Sequence, residues 1–374
     1  QPEALRKTAW FLNSKDYLRF KLTGRLRQSD YSDASLTGAL DIKGKRWDRE
    51  LITELGLPQE IFPSLTASTE ITGALTREVA GLLGLSPGIP VTAGGGDAAC
   101  ATRGAGVRGP RQAYGSIGSS AWLSMLSSQP VYDEQMRMQH FYDIGGRMGN
   151  VCGTAQNAGS AVDWALGLFY GDNTLSSSEY RRIEQALHDI APGSSGVLFL
   201  PYLMGERTPH WDASARGAFL GLSLMHSKET MVRSVYEGVA FALRDVMDVY
   251  TDLEMDIDSF TLLGGGVRSP VWREIICSVC AMPMALHTVP THAASLGAAM
   301  AAGVGAGIWD SLDEAAAIPL TGDIISPDRA LQAAYEDIYG VYQRMYGYLR
   351  PAYEELARVR TEMDEGAYDE SCSD

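Results

Sequence analysis

The sequence predicts an α/β fold divided between two domains, and three observations carry that expectation. The chain has 374 residues, more than one hydrophobic core usually organises. Strand-type and helix-type segments alternate from Phe260 onward, as they do in βα units. A Gly/Pro break at Arg108-Gly109-Pro110 marks a domain boundary. The expected division is 1–108, 109–350 and an acidic tail, 351–374.

Residues 1–50 read as mainly helical with a charged surface, and the next helix stops at Gly56-Leu57-Pro58. Residues 66–96 hold strand-like pieces and a short helix near Glu78 to Leu83. They end in an apolar run, Ile89 to Ala93, that reads as a buried strand leading into Gly94-Gly95-Gly96-Asp97. The second domain opens with a hairpin: Gln112 to Ser116, a glycine–serine turn, then Ala121 to Leu126. Gly196 to Pro201 is a further buried-strand candidate. A long helix starts after Ser227, a suitable N-cap, and carries Val232, Val235, Val239, Ala242, Val246 and Val249 on one face. Phe260 to Leu263 forms a strand, Gly264-Gly265-Gly266 a turn, and Ser269 caps a helix whose first turn accepts Pro270. Strand Met284 to Val289 and a small-residue helix from Ala293 follow. Thr361 to Asp374 holds six acidic residues in fourteen and reads as a disordered tail.

Composition narrows the function. A net charge of −15 argues against nucleic-acid binding, which needs a basic surface. No stretch reads as a membrane span or signal peptide. Five cysteines form no secretory framework, so a cytoplasmic location is expected. Cys277 and Cys280 have CxxC spacing but lie in an apparent helix, where buried thiols are the better reading. The histidines show no metal-ligand spacing.

Chemistry is expected at the glycine turns. A carboxylate at a strand end beside three glycines is placed to accept a proton from a bound hydroxyl; the bland reading is a turn or cap aspartate. The turn from Gly115 to Ser120 lacks the P-loop pattern, yet its successive N–H groups, with the Ser119 hydroxyl, can cradle an anion. Gly264-Gly265-Gly266 lacks the dinucleotide fingerprint but lets an adenosine approach the backbone. Asn157 to Trp164 opens a helix with a small-residue face. Gly205-Glu206-Arg207-Thr208-Pro209-His210-Trp211-Asp212 reads as cleft-lining.

In order, these motifs resemble the FGGY carbohydrate kinases, in particular their xylulokinase-like branch. The resemblance includes Ser14 to Gly24, Ser29 to Ser35, Gly94 to Asp97, Gly115 to Ser120, Gly205 to His210 and Gly264 to Trp272, and extends to about residue 350. It implies an actin-like, ribonuclease-H-like fold of two α/β domains closing on a cleft. It also implies ATP-dependent phosphorylation, with Mg²⁺, of a ketopentose such as xylulose or a related ketose or polyol. By motif, Asp97 falls on the catalytic base and, with Ala98, on the sugar site. Gly118 and Ser119 fall on a phosphate hairpin, Gly159 and Asp163 on a nucleotide-contacting helix start, and Gly264, Gly265, Gly266 and Ser269 on the adenosine motif. Xylulokinases usually carry Asn where this chain has Ala98, which leaves D-xylulose itself open.

Family members begin further upstream, with a strand and a D-x-G-T phosphate loop. The first domain is therefore expected to be incomplete here, and residues 1–374 alone to have little kinase activity. Partners are expected to be a small sugar and ATP, with a homodimer left open. The competing reading is a non-catalytic actin-like module that senses sugar or nucleotide.

Overall fold

The computed structural model describes residues 2–171 and 175–371. Its centre is a seven-stranded sheet. The strands are β1 (Gln112–Ile117), β2 (Ala121–Ser127), β3 (Gln139–Tyr142), β4 (Gly149–Ala155), β5 (Ser259–Leu263), β6 (Met284–His287) and β7 (Thr321–Ile325). They lie in the order β7-β6-β5-β1-β2-β4-β3. β5 runs parallel to both β1 and β6, and every other pairing is antiparallel. The helices that matter are α1 (Ser14–Thr23), α2 (Tyr31–Ser35), α3 (Asp97–Gly104), α4 (Gly159–Tyr170), α5 (Ser177–His188), α6 (Lys228–Asp252), α7 (Pro270–Val279), α8 (Ala293–Gly305) and α9 (Arg329–Ser371).

The two-residue alternation of a strand assigns each sheet face to different helices. On one face, Val151 and the residues around it meet α6: a Cβ at Gly153 would lie 2.4 Å from Val246, and Tyr250 Oη donates to Val151 O at 2.8 Å. On the other face, Asn150 Nδ2 donates to Thr102 Oγ1 of α3 at 2.8 Å, and Cys152 packs with Ala99 and Cys100. α3 crosses α8 at backbone contact. A Cβ at Gly104 would fall 1.8 Å from Ala293 O, and one at Gly297 1.8 Å from Cys100 O. The segments expected as separate domains therefore share a core around Ala99, Phe141, Ile144 and Met300.

The predicted hairpin, the Ser227-capped helix and the Ser269–Pro270 helix start all form: Ser227 accepts from Thr230 N, and Ser269 from Trp272 N. Other expectations need correction. Residues 1–50 are not mainly helical; short helices alternate there with strand pieces at Gln28–Asp30, Leu40–Asp41 and Arg46–Trp47. The run before Asp97 forms a strand, Pro90–Thr92, that is exposed to half-buried. Among the described residues its one partner is Ile71–Ala74, so it lies at the edge of a two-stranded sheet, with α8 reaching it where Gly305 meets Thr92. The acidic tail is not disordered over 361–371, because α9 runs to Ser371. Arg350–Glu354 and Arg358–Glu362 pairs at i,i+4 support that helix. Residues 372–374 lie outside the described residues. No helix among the described residues is long and apolar enough to cross a membrane.

Candidate active site

Asp97 is the first residue of α3, exposed at the mouth of a cleft of about 610 Å³. Lys15, Asp33, Cys100 and Ser295 line the same cleft. Asp97 Oδ1 accepts from Ala98 N at 2.7 Å, and the helix N-terminus favours a negative charge there. The approach to Asp97 is tight. Gly94 takes φ +72°, and a Cβ at Gly95 would sit 2.5 Å from Ile144 Cγ2. Gly96 N donates to Ser32 Oγ at 2.9 Å. Ala98 packs its methyl against the core shared with Cys100 and Ile144, so it presents no polar group to a substrate. A roomier hollow of about 830 Å³ lies between Tyr31, Trp47 and Leu65 but contains none of the glycine turns.

Beneath Asp97 lies a charge network that sequence reasoning missed. Lys15 Nζ sits 2.8 Å from Asp16 Oδ1, 2.9 Å from Asp30 Oδ1 and 3.7 Å from Asp33 Oδ2. Burial pulls the Lys15 ammonium down, but Asp30 and Asp16 outweigh it and hold it above the usual lysine value. Burial raises the Asp33 carboxyl, against the pull of Lys15. Asp30 Oδ2 accepts from Ser32 N at 2.9 Å, from Ser68 Oγ at 2.7 Å and from Ser32 Oγ. The chain Lys15–Asp30–Ser32–Gly96 thus fixes the backbone that presents Asp97. Its motifs, Ser14 to Gly24 and Ser29 to Ser35, were readable only as family marks.

The remaining glycine turns gather at the end of β1, and none of them lines the Asp97 cleft. Gly118 O accepts from Gly159 N at 2.8 Å, and Ser119 O from Ala158 N and Ser160 N at 2.8 and 3.0 Å. A Cβ at Gly159 would lie 2.6 Å from Gly118 O, so α4 docks on the turn only through glycine. Gly264 (φ +98°) and Gly266 would each strike Ile117, whereas Gly265 faces open space. Asp163 is exposed one turn into α4. Ser269 is different: it is buried, its Oγ lies 2.8 and 2.9 Å from the two Glu184 carboxylate oxygens, and it caps α7. Its hydroxyl serves the fold, and so does its backbone: Ser269 N donates to Gly266 O at 3.2 Å and Ser269 O accepts from Arg273 N at 3.1 Å.

The Gly205–Asp212 loop divides. His210 stacks on Tyr346 of α9 with centroids 3.6 Å apart, and burial lowers it to about 4. Trp211 Nε1 donates to Arg137 O. Both side chains thus serve packing. Glu206 turns to the sheet instead: its Oε1 accepts from Gln156 N at 2.6 Å and Arg207 N at 2.8 Å. Burial pushes its carboxyl up to about 8. Cys277 is buried, with its thiol pushed up to about 11 by burial, and Cys280 closes the same helix.

A carboxylate at the start of α3 and glycine turns at the end of β1 stand on the actin-like, two-domain sugar kinase fold. Comparison with known proteins makes it specific. The model of the "FGGY family of carbohydrate kinases, C-terminal domain" matches residues 113–306, and that of the family's N-terminal domain matches residues 1–104. The chain is 34% identical to a xylulose kinase of Escherichia coli over 94% of its own length and 71% of the relative's. It is 31% identical to a xylulose kinase of Bacillus subtilis over 84% of its own length and 62% of the relative's. A crystal structure of a xyloylose kinase from Brucella ovis superposes with a TM-score of 0.84 at 31% identity, covering 92% of this chain and 69% of that one. The chain belongs to the FGGY family of carbohydrate kinases.

Proposed function

We propose that this chain serves an enzyme that transfers the terminal phosphoryl group of ATP to a hydroxyl of a ketopentose such as xylulose, or of a related ketose or polyol. The observation that carries the reading is Asp97, exposed in the cleft at the start of α3. Its carboxylate takes the proton of the sugar hydroxyl as the oxygen attacks phosphorus. Gly118, Ser119, Gly159 and Asp163 form the wall that receives the nucleotide phosphates, and Gly264 to Gly266, with Ser269 behind them, receive the adenosine. The glycine geometry supports this at Gly265, which faces open space, while Gly159 and Gly264 hold the turns together at backbone contact. Mg²⁺ held by nucleotide phosphates needs only one or two protein carboxylates, and Asp33, in the same cleft as Asp97, is one such group. When bound, the ion would neutralise phosphate charge. The xylulose kinase relatives support a pentulose, while Ala98 in place of a polar residue leaves the acceptor open to other ketoses and polyols. Free thiols at Cys100, Cys152 and Cys277 support a cytoplasmic setting. The test is ADP release by the full-length protein across pentuloses, hexuloses and polyols. Release stimulated by one acceptor class supports the reading, and release indifferent to every acceptor rejects it.

A further inference from the structure

Lys15 lines the Asp97 cleft and Arg207 follows Glu206 beyond the end of β4; the two cations differ in one respect. Lys15 is consumed by Asp16, Asp30 and Asp33. Arg207 is exposed, and among the described residues its guanidinium makes no hydrogen bond or ion pair.

The sheet register fixes where Arg207 stands. Asn150, Cys152 and Thr154 of β4 lie on the face that carries α3. Gln156 continues that row past the strand end. Because Ala155 pairs with Ala121, Gln156 flanks the turn Gly118 to Ser120. Glu206 Oε1 binds the Gln156 and Arg207 peptides together. Arg207 also acts on Cys152, opposing the burial that pushes that thiol to about 12. Two buried polar atoms in this corner, Glu206 Oε2 and Gln156 Oε1, have no hydrogen-bond partner. Burial raises the Glu206 carboxyl to about 8, which weakens its charge beside Arg207.

We infer that Arg207 is a further catalytic residue: its guanidinium binds the non-bridging oxygens of the transferring phosphoryl group, with Glu206 as the positioning residue. This rests on the phosphoryl transfer proposed above. In that step the sugar O–P bond forms as the bridging P–O bond of ATP breaks. The hydroxyl proton passes to Asp97 and the electron pair leaves on ADP, while Arg207 donates hydrogen bonds and gives up no proton. A planar fork suits phosphate oxygens better than a point charge.

The experiment uses the full-length protein and its variants Arg207→Gln, Arg207→Lys, Glu206→Gln and Glu206→Ala. Arg207→Gln should lower kcat by about 10²–10³-fold, the effect of removing one preorganised donor from a charged transition state. KM for the sugar and the melting temperature should hold, and added millimolar guanidinium should restore part of the rate. Arg207→Lys should recover less than guanidinium does. Glu206→Gln, the isostere of the neutral acid, should keep the rate that Glu206→Ala loses. Calorimetry with tripolyphosphate tests the site without turnover: Arg207→Gln should weaken binding by about tenfold or more. Unchanged tripolyphosphate affinity, or a kcat near wild type in Arg207→Gln, overturns the inference. A wild-type protein that binds tripolyphosphate through Arg207 but phosphorylates no sugar contradicts the proposed reaction and leaves the anion site standing.

Discussion

Asp97 gains its place from neighbours more than from its own environment. Its carboxylate rests on the Ala98 peptide and faces open cleft, while Lys15, Asp30 and Ser32 hold the glycines behind it. Lys15 is therefore the residue whose loss should be felt furthest. Lys15→Met leaves Asp30 and Asp33 without their direct counter-charge, with Arg19, 3.8 Å from Asp16, the cation that remains beside them. Breaking a buried ion pair from one side costs about 3–5 kcal/mol, and urea unfolding should show a loss of that order. A variant as stable as wild type would mean that the three carboxylates are solvated or protonated in the folded protein. Asp97 itself was legible because three glycines before an acid form a local pattern. The Lys15 network was not, because its members contact across separations of 15 and 18 residues and no spacing rule links them. Glu206 and Gln156 meet across 50 residues and were equally hidden.

Two packed elements set the geometry on either side of the sheet. α3 and α8 touch through Gly104 and Gly297, so the start of α3, and Asp97 with it, is placed by a helix about 200 residues away. Gly297→Ala puts a methyl carbon into the Cys100 carbonyl. It should cost about 1–3 kcal/mol as an overpacked contact, read by chemical denaturation, and should lower turnover in the full-length protein by shifting α3. Unaltered stability would mean that the crossing is looser than drawn. On the opposite face, Tyr339 Oη of α9 lies 2.6 Å from both Asp245 Oδ1 and Asp248 Oδ2 of α6. A phenol has one proton to donate, so the second short contact uses a proton on Asp245, whose carboxyl burial raises to about 7. The folded state then holds a proton that the unfolded chain releases near pH 4. The stabilisation is complete below that pH and disappears as pH rises through about 7. The denaturation midpoint should fall between about pH 5 and about pH 8 for this reason, and Asp245→Asn should flatten the fall. An equally steep fall in that variant would assign the effect to another group. The valine stripe of α6 and the Ser269–Pro270 start of α7 were readable in the sequence because helix periodicity and capping are local. The exposure of Pro90–Thr92 was not, because burial depends on which strands lie alongside.

The whole molecule joins two lobes through one shared core, with the anion-holding turns at the end of β1 and the carboxylate at the start of α3. A Gly/Pro break at 108–110 does mark where the sheet begins, yet α3 packs on that sheet, which no boundary in composition reveals. The central claim is that this cleft moves a phosphoryl group to a hydroxyl that Asp97 deprotonates. The most direct measurement is sugar-dependent ADP release by the full-length protein, wild type beside Asp97→Asn, with nucleotide affinity measured in both. The account predicts a loss of about two to four orders of magnitude in turnover with nucleotide binding retained. Near-normal turnover in Asp97→Asn would contradict it.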